Sequence, residues 1–146
     1  MDLAKRLIRE AKLGQGDLAK FQLYDHTKLY GNNPNIPNVE LTFEQAKMLF
    51  EYGKECGIEV FFSVFDTERV KWCEEIGVKR YKLASGYLNE AIRWALRQIR
   101  KEIIVSTDSY YSRTAPFINP KVLFCPAGYP PKFPISWSNF AKNTKI

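Results

Sequence analysis

The 146 residues are 45% hydrophobic, 26% charged and 14% aromatic, with a formal net charge of +6. Those fractions exclude a disordered, collagenous or coiled-coil chain, and no apolar run approaches the ~18 residues that cross a bilayer. The length suits one domain with one core and falls short of a complete (β/α)₈ barrel, which takes roughly 250 residues.

In chain order, Asp2 to Leu13 places Leu3, Leu7, Ile8 and Ala11 at helical spacing and predicts an amphipathic helix. Gly14 and Gly16 end it. Residues 17–23 predict a short strand and residues 24–41 a polar loop, with turn chemistry over Gly31 to Pro37. Thr42 and Gln45 form a capping-box pattern. The helix behind it runs to Cys56, turns Phe43, Ala46, Leu49, Phe50 and Gly53 inward, and stops at Gly57. The apolar run Ile58 to Val64 predicts a strand covered on both faces. Thr67 to Ile76 is a third helix, stopped by Gly77. Val78 to Ala84 is a strand, and Leu88 to Arg100 a fourth helix with Leu88, Ile92, Ala95, Leu96 and Ile99 inward. Ile103 to Ser106 and Val122 to Cys125 are two further strands, joined by a segment with two prolines and no helix signal. The chain beyond Pro126 reads as irregular.

Three helices thus end at a glycine just before a strand, which is the crossover that parallel strands require. The reading is an α/β fold with a parallel sheet of about five strands and flanking helices. Spacing alone leaves open a partial TIM barrel or a small doubly wound sheet.

Charge and cysteine usage narrow the partners. The basic residues are dispersed, with no run of five or six, which speaks against nucleic acid. A phosphorylated small molecule is the alternative anionic partner. Cys56, Cys73 and Cys125 are odd in number and lack CxxC spacing, so they read as reduced packing residues of a cytoplasmic protein. The N-terminal Met1 to Arg6 is charged and helix-like, which predicts neither a signal peptide nor an anchor. His26 reads as a surface residue, Trp72 and Trp94 as packing residues, and Trp137 as a contact to another chain.

In either α/β architecture ligands bind at the carboxyl ends of the strands. The strands bring there Lys20 and Gln22; Ser63 and Asp66; Lys82, Ser85 and Gly86; Ser106, Thr107 and Asp108; and Cys125. Lys20 and Lys82 each interrupt an apolar strand, so each must find an anion or a barrel interior. Ammonium groups and hydroxyls suit a phosphate plus a carboxylate.

Five segments then carry a resemblance. They are Lys20-Phe21-Gln22, Phe61-Phe62-Ser63-Val64-Phe65-Asp66, Tyr81-Lys82-Leu83-Ala84-Ser85-Gly86, Ile104-Val105-Ser106-Thr107, and Leu123-Phe124-Cys125 with Tyr129-Pro130. In this order, each at a strand end, the set resembles the KFQ, STPFD, YKIASG, LSTG and LHC…YP signatures of the N-terminal barrel domain of N-acetylneuraminate (sialic acid) synthases. The match covers roughly residues 2–131, leaving 132–146 as a tail. The resemblance implies condensation of phosphoenolpyruvate with an N-acyl amino sugar such as N-acetylmannosamine, with a divalent metal, typically manganese. By motif, Lys20, Ser63, Lys82, Ser85 and Ser106 would hold the phosphate and carboxylate of phosphoenolpyruvate.

The departures set further expectations. Ser63 replaces a threonine, Asp108 a glycine and Phe124 a histidine, and Ala127 stands near an expected asparagine. The family's first strand with its glutamate, its last two strands with the metal-binding histidines, and its C-terminal antifreeze-like domain have no counterpart in these residues. The expectation is therefore a truncated barrel that keeps part of the phosphoenolpyruvate pocket, retains no metal site, lacks stand-alone activity, and has a second copy or a partner chain over its sheet edges. A non-catalytic binding module and a lysine Schiff-base aldolase, using Lys20 or Lys82, are the alternatives.

Overall fold

The computed structural model describes residues 1–85, 89–107, 117 and 120–125. Helix α1 (Asp2–Leu13) leads into strand β1 (Leu18–Leu23), and a short helix α2 (His26–Tyr30) follows. Three helix–strand units come next: α3 (Phe43–Cys56) with β2 (Glu59–Val64), α4 (Thr67–Ile76) with β3 (Arg80–Leu83), and α5 (Glu90–Arg97) with β4 (Glu102–Thr107). Strand β5 (Lys121–Phe124) comes last among the described residues. The predicted tail, its boundary at residues 131 and 132, Trp137, Gly86, Leu88 and Asp108 lie outside those residues.

The sheet settles what spacing left open. All five strands are parallel and lie in the order β1-β2-β3-β4-β5. A doubly wound sheet reverses its order at a switch point; this one does not. Helices α1, α3, α4 and α5 pack on one side. Ala46, Leu49 and Phe50 of α3, Val70 and Cys73 of α4, and Ile92 and Leu96 of α5 share one core with Ala19, Leu23, Val60, Phe62, Val64, Tyr81, Leu83, Ile103 and Val105. Strand residues of the other parity point away from that core. This singly wound arc is a partial TIM-barrel-like sheet.

The two-sided burial expected for β2 is present: Val60, Phe62 and Val64 are buried against the helices, and Phe61 and Ser63 are buried on the opposite face. That opposite, concave face carries Lys20, Gln22, Phe61, Ser63, Lys82, Ile104 and Ser106. At the amino end of that face runs an ion-pair ladder. Arg80 bonds Glu59 at 2.6 Å and Glu102 at 2.5 Å, and Lys121 bonds Glu102 at 2.8 Å.

Local chemistry explains the units. Thr42 Oγ1 accepts the Gln45 N–H at 3.2 Å, and Gln45 Oε1 accepts the Thr42 N–H at 3.0 Å, completing the capping box. Asp66 and Asn89 cap α4 and α5 by accepting the N–H groups of Arg69 and Ile92, both at 2.9 Å. Gly57 closes α3 at φ 70°, in the left-handed region that favours glycine. Gly53 lets α3 approach β2: a Cβ there would lie 2.4 Å from Val60 Cγ2.

Four expectations need correction. On α1 only Ile8 is fully buried, flanked by Ala4 and Ala11, while Leu3 and Leu7 are 69% and 53% exposed. The buried stripe is centred on Ile8, and the two leucines flank it, lining a groove with Met1, Tyr30 and Val39. Residues 24–41 are not all loop, because Asp25 accepts the Lys28 N–H at 2.9 Å and nucleates α2. That turn buries His26 to 8% exposure, where Glu40 accepts its backbone N–H, so His26 is not a surface residue. Trp94 is 69% exposed rather than packed; it borders a groove of about 600 Å³ between α4 and α5.

Candidate functional site

The register aligns the polar side chains of the concave face. Gln22 of β1 pairs with Ser63 of β2, and Ser63 with Lys82 of β3. These three therefore form one row across adjacent strands, pointing to the same side. Lys20 lies one pleat nearer the amino end of β1, opposite Phe61. Ser106 lies one pleat further along β4 than Ile104, the partner of Lys82. Ser85 sits in the turn just past the carboxyl end of β3, half-buried. Lys20, Ser63, Lys82 and Ser106 thus share one face, and Ser85 stands at the same end of the sheet.

Lys82 is the centre of this group. It is 8% exposed. Its Nζ donates to Ser106 Oγ at 2.6 Å and to the Leu83 carbonyl oxygen at 2.7 Å. Ser106 Oγ also accepts from Cys125 Sγ at 3.4 Å. Both acceptors of the ammonium are neutral. Burial pushes the Lys82 pKa down to about 8; the Cys125 thiol opposes that shift and the Lys20 ammonium adds to it. Lys20 still reaches solvent, yet partial desolvation lowers its pKa as well. Ser63, at 3% exposure, is buried beside them.

Cys125 and Gln22 join the group as residues that the sequence placed at the rim but not among the ligand-holding residues. Their strand-end positions were the available signal. Asp66, also at the rim, is engaged as the cap of α4 and pairs with Arg69 at 3.4 Å. Cys73 is a packing residue, with burial pushing its thiol up to about 12. All three cysteines are free thiols.

The described residues do not fit a divalent cation at this site. No three His, Cys, Asp or Glu side chains among them lie together. The groups around Lys82 are ammoniums, hydroxyls and a thiol, and two ammoniums repel a cation. The carboxylates of the concave face, Glu59 and Glu102, are bound to Arg80 and Lys121 at the amino end.

Comparison with known proteins agrees with the fold. The N,N'-diacetyllegionaminic acid synthase of Campylobacter jejuni is 28% identical over 126 residues, covering 73% of this chain and 38% of that protein. The mouse N-acetylneuraminate-9-phosphate synthase is 32% identical over 108 residues, covering 61% and 30%. A crystal structure of the N-acetylneuraminic acid (sialic acid) synthetase of Leptospira borgpetersenii, in complex with citrate, superposes with a TM-score of 0.67 at 28% identity, over 72% of this chain and 39% of that one. The chain therefore spans about three-tenths to two-fifths of the length of these relatives, and the superposed part supports the partial-barrel reading of the sheet. Residues 7–113 match the NeuB family, and the chain belongs to that family.

Proposed function

We propose that the concave face around Lys82 is the phosphoenolpyruvate-holding part of a sialic acid synthase-like site. In this reading Lys20 and Lys82 neutralise the phosphate and carboxylate, and Ser63, Ser85 and Ser106 orient the oxygens. One observation carries it. Lys82 is a buried cation whose hydrogen bonds go to a hydroxyl and a carbonyl oxygen, and a buried charge calls for a counter-charge. A bound anion supplies it. The amino sugar that would accept the three-carbon unit is an N-acylated one, such as N-acetylmannosamine, in keeping with the family.

Manganese or another divalent metal belongs to the family's chemistry. Glu59 and Glu102, the described carboxylates of this face, are bound by Arg80 and Lys121, and in this reading the chain by itself binds phosphoenolpyruvate without turning it over. Among the described residues strands β1 and β5 each pair on one side only, and bare strand edges attract further strands. A second copy or a partner chain therefore covers them. The free thiols suit the cytoplasm, and among the described residues no helix is long and apolar enough to cross a membrane.

The test is a thermal shift. Phosphoenolpyruvate raises the Tm of the chain, and Lys82→Met removes most of the rise. An equal rise in both proteins, or none in either, contradicts the assignment. Sedimentation reads the assembly: a stable 17.0 kDa monomer contradicts the covered edges.

A further inference from the structure

We propose that Lys82 is a carbonyl-capturing amine, forming a reversible imine with a small 2-keto acid, with Ser106 relaying the proton. Phosphoenolpyruvate has no ketone and cannot form this imine, so the capture is a second activity of the same face.

The geometry supports it from three sides. The Nζ atom is buried and rests on neutral acceptors, Ser106 Oγ at 2.6 Å and the Leu83 carbonyl oxygen at 2.7 Å. No described carboxylate pins it as an ammonium. Among the described residues the charged and titratable groups that face it are Lys20 from β1 and Cys125 beyond β5, while Glu59 and Glu102 are tied to Arg80 and Lys121. A lysine desolvated beside a second cation is the arrangement that makes an amine nucleophilic. Lys20 then holds the carboxylate of the keto acid.

In the step itself the neutral Lys82 amine attacks the carbonyl carbon and an N–C bond forms. Ser106 passes the amine proton to the carbonyl oxygen, which gives a carbinolamine. The nitrogen's remaining proton then passes through Ser106 to the hydroxyl, which leaves as water, so that the C–O bond breaks and the C=N bond forms. No oxidant or reductant takes part, and hydrolysis reverses the step.

The experiment incubates the whole chain with pyruvate and cyanoborohydride, which traps imines, and maps the adduct by mass spectrometry of a digest. The adduct is expected at Lys82 several-fold above the exposed surface lysines, because the buried Lys82 amine rests on neutral acceptors. Its yield at Lys82 climbs as pH rises from 6 to about 8, the region where this amine loses its proton. Lys20→Met lowers the yield several-fold. Labelling spread evenly over exposed lysines, or absent from Lys82, overturns the proposal, and the wild-type digest reads this without any variant having to fold. Calorimetric titration of phosphoenolpyruvate in the same preparation separates the two readings. Binding without an adduct overturns the capture alone, and an adduct without binding overturns the phosphoenolpyruvate assignment alone.

Discussion

Replacing Lys82 by methionine should stabilise the chain at neutral pH. The Lys82 pKa is about 8 in the folded chain against an ordinary 10.5. At about 1.4 kcal/mol per unit, protonating this buried amine costs about 3 kcal/mol below pH 8. Between pH 8 and 10.5 the unfolded chain holds a proton that the folded chain has lost, so wild-type stability rises with pH across that window. Methionine keeps most of the stem volume and removes the charge. It also removes the hydrogen bonds to Leu83 and Ser106, each worth roughly 1 kcal/mol. The charge outweighs the bonds at pH 7, leaving Lys82→Met more stable by about 1 kcal/mol, or a Tm higher by about 2–4 °C. Above pH 10.5 the lysine is neutral, only the lost bonds remain, and the variant becomes the less stable protein. Thermal melts followed by circular dichroism at pH 7 and pH 10.5 read the reversal. A variant that is less stable at pH 7, by an amount that does not change with pH, would show that the buried Lys82 charge carries no such cost.

Other changes test the frame around the site. Gly53→Ala puts a Cβ 2.4 Å from Val60 Cγ2 and 2.9 Å from the Ile58 carbonyl oxygen. Overpacking of ~1–3 kcal/mol exceeds the helix-propensity gain of ~1 kcal/mol, so the Tm falls; an unchanged or higher Tm contradicts the close approach of α3 to β2. Arg80→Met leaves Glu59 and Glu102 without their shared cation and costs about 1–2 kcal/mol at pH 7. Lys121, then Arg80, hold the Glu102 carboxyl below the usual carboxylate range. Its contribution is therefore present above the ordinary value and fades as pH falls through the lowered one. Urea melts at pH 7 and pH 3 should show the Arg80→Met loss shrinking in acid, and an equal loss at both contradicts the ladder. Incubation with phosphoenolpyruvate, N-acetylmannosamine and manganese should release no phosphate above background. Turnover that disappears in Lys82→Ala would show that the chain supplies catalytic groups beyond those described.

Much of the architecture could be read from the residues because each unit carries its own punctuation. Thr42 with Gln45, Gly57 and Gly77 mark helix ends through local hydrogen bonds and backbone angles, which depend little on the rest of the fold. Helix α4 begins and ends where the residues predicted. The sidedness of the sheet was harder. Val60, Phe62 and Val64 face the helices while Phe61 and Ser63 face the concave side, and a run of apolar letters hides that alternation. The failure at α1 has the same root: periodicity gives an apolar stripe, but which edge of it is buried depends on where β1 and α3 lie. The ion-pair ladder did leave a trace, since Glu59, Arg80, Glu102 and Lys121 open four successive strands with alternating charge. His26 went unread because its burial rests on a single turn capped by Asp25 and on Glu40, fourteen residues away. At the site, the two lysines within apolar strands were visible from sequence. The contact of Lys82 with Ser106 spans 24 residues and needed the sheet.

A crystal structure of the chain with phosphoenolpyruvate tests whether Lys82 and Lys20 form the cationic side of an anion site. The phosphate or carboxylate oxygens are expected within hydrogen-bonding distance of both Nζ atoms, with the Ser63, Ser85 and Ser106 hydroxyls around them. Phosphoenolpyruvate bound elsewhere, with Lys82 still engaged only by Ser106 and the Leu83 carbonyl, would contradict that arrangement.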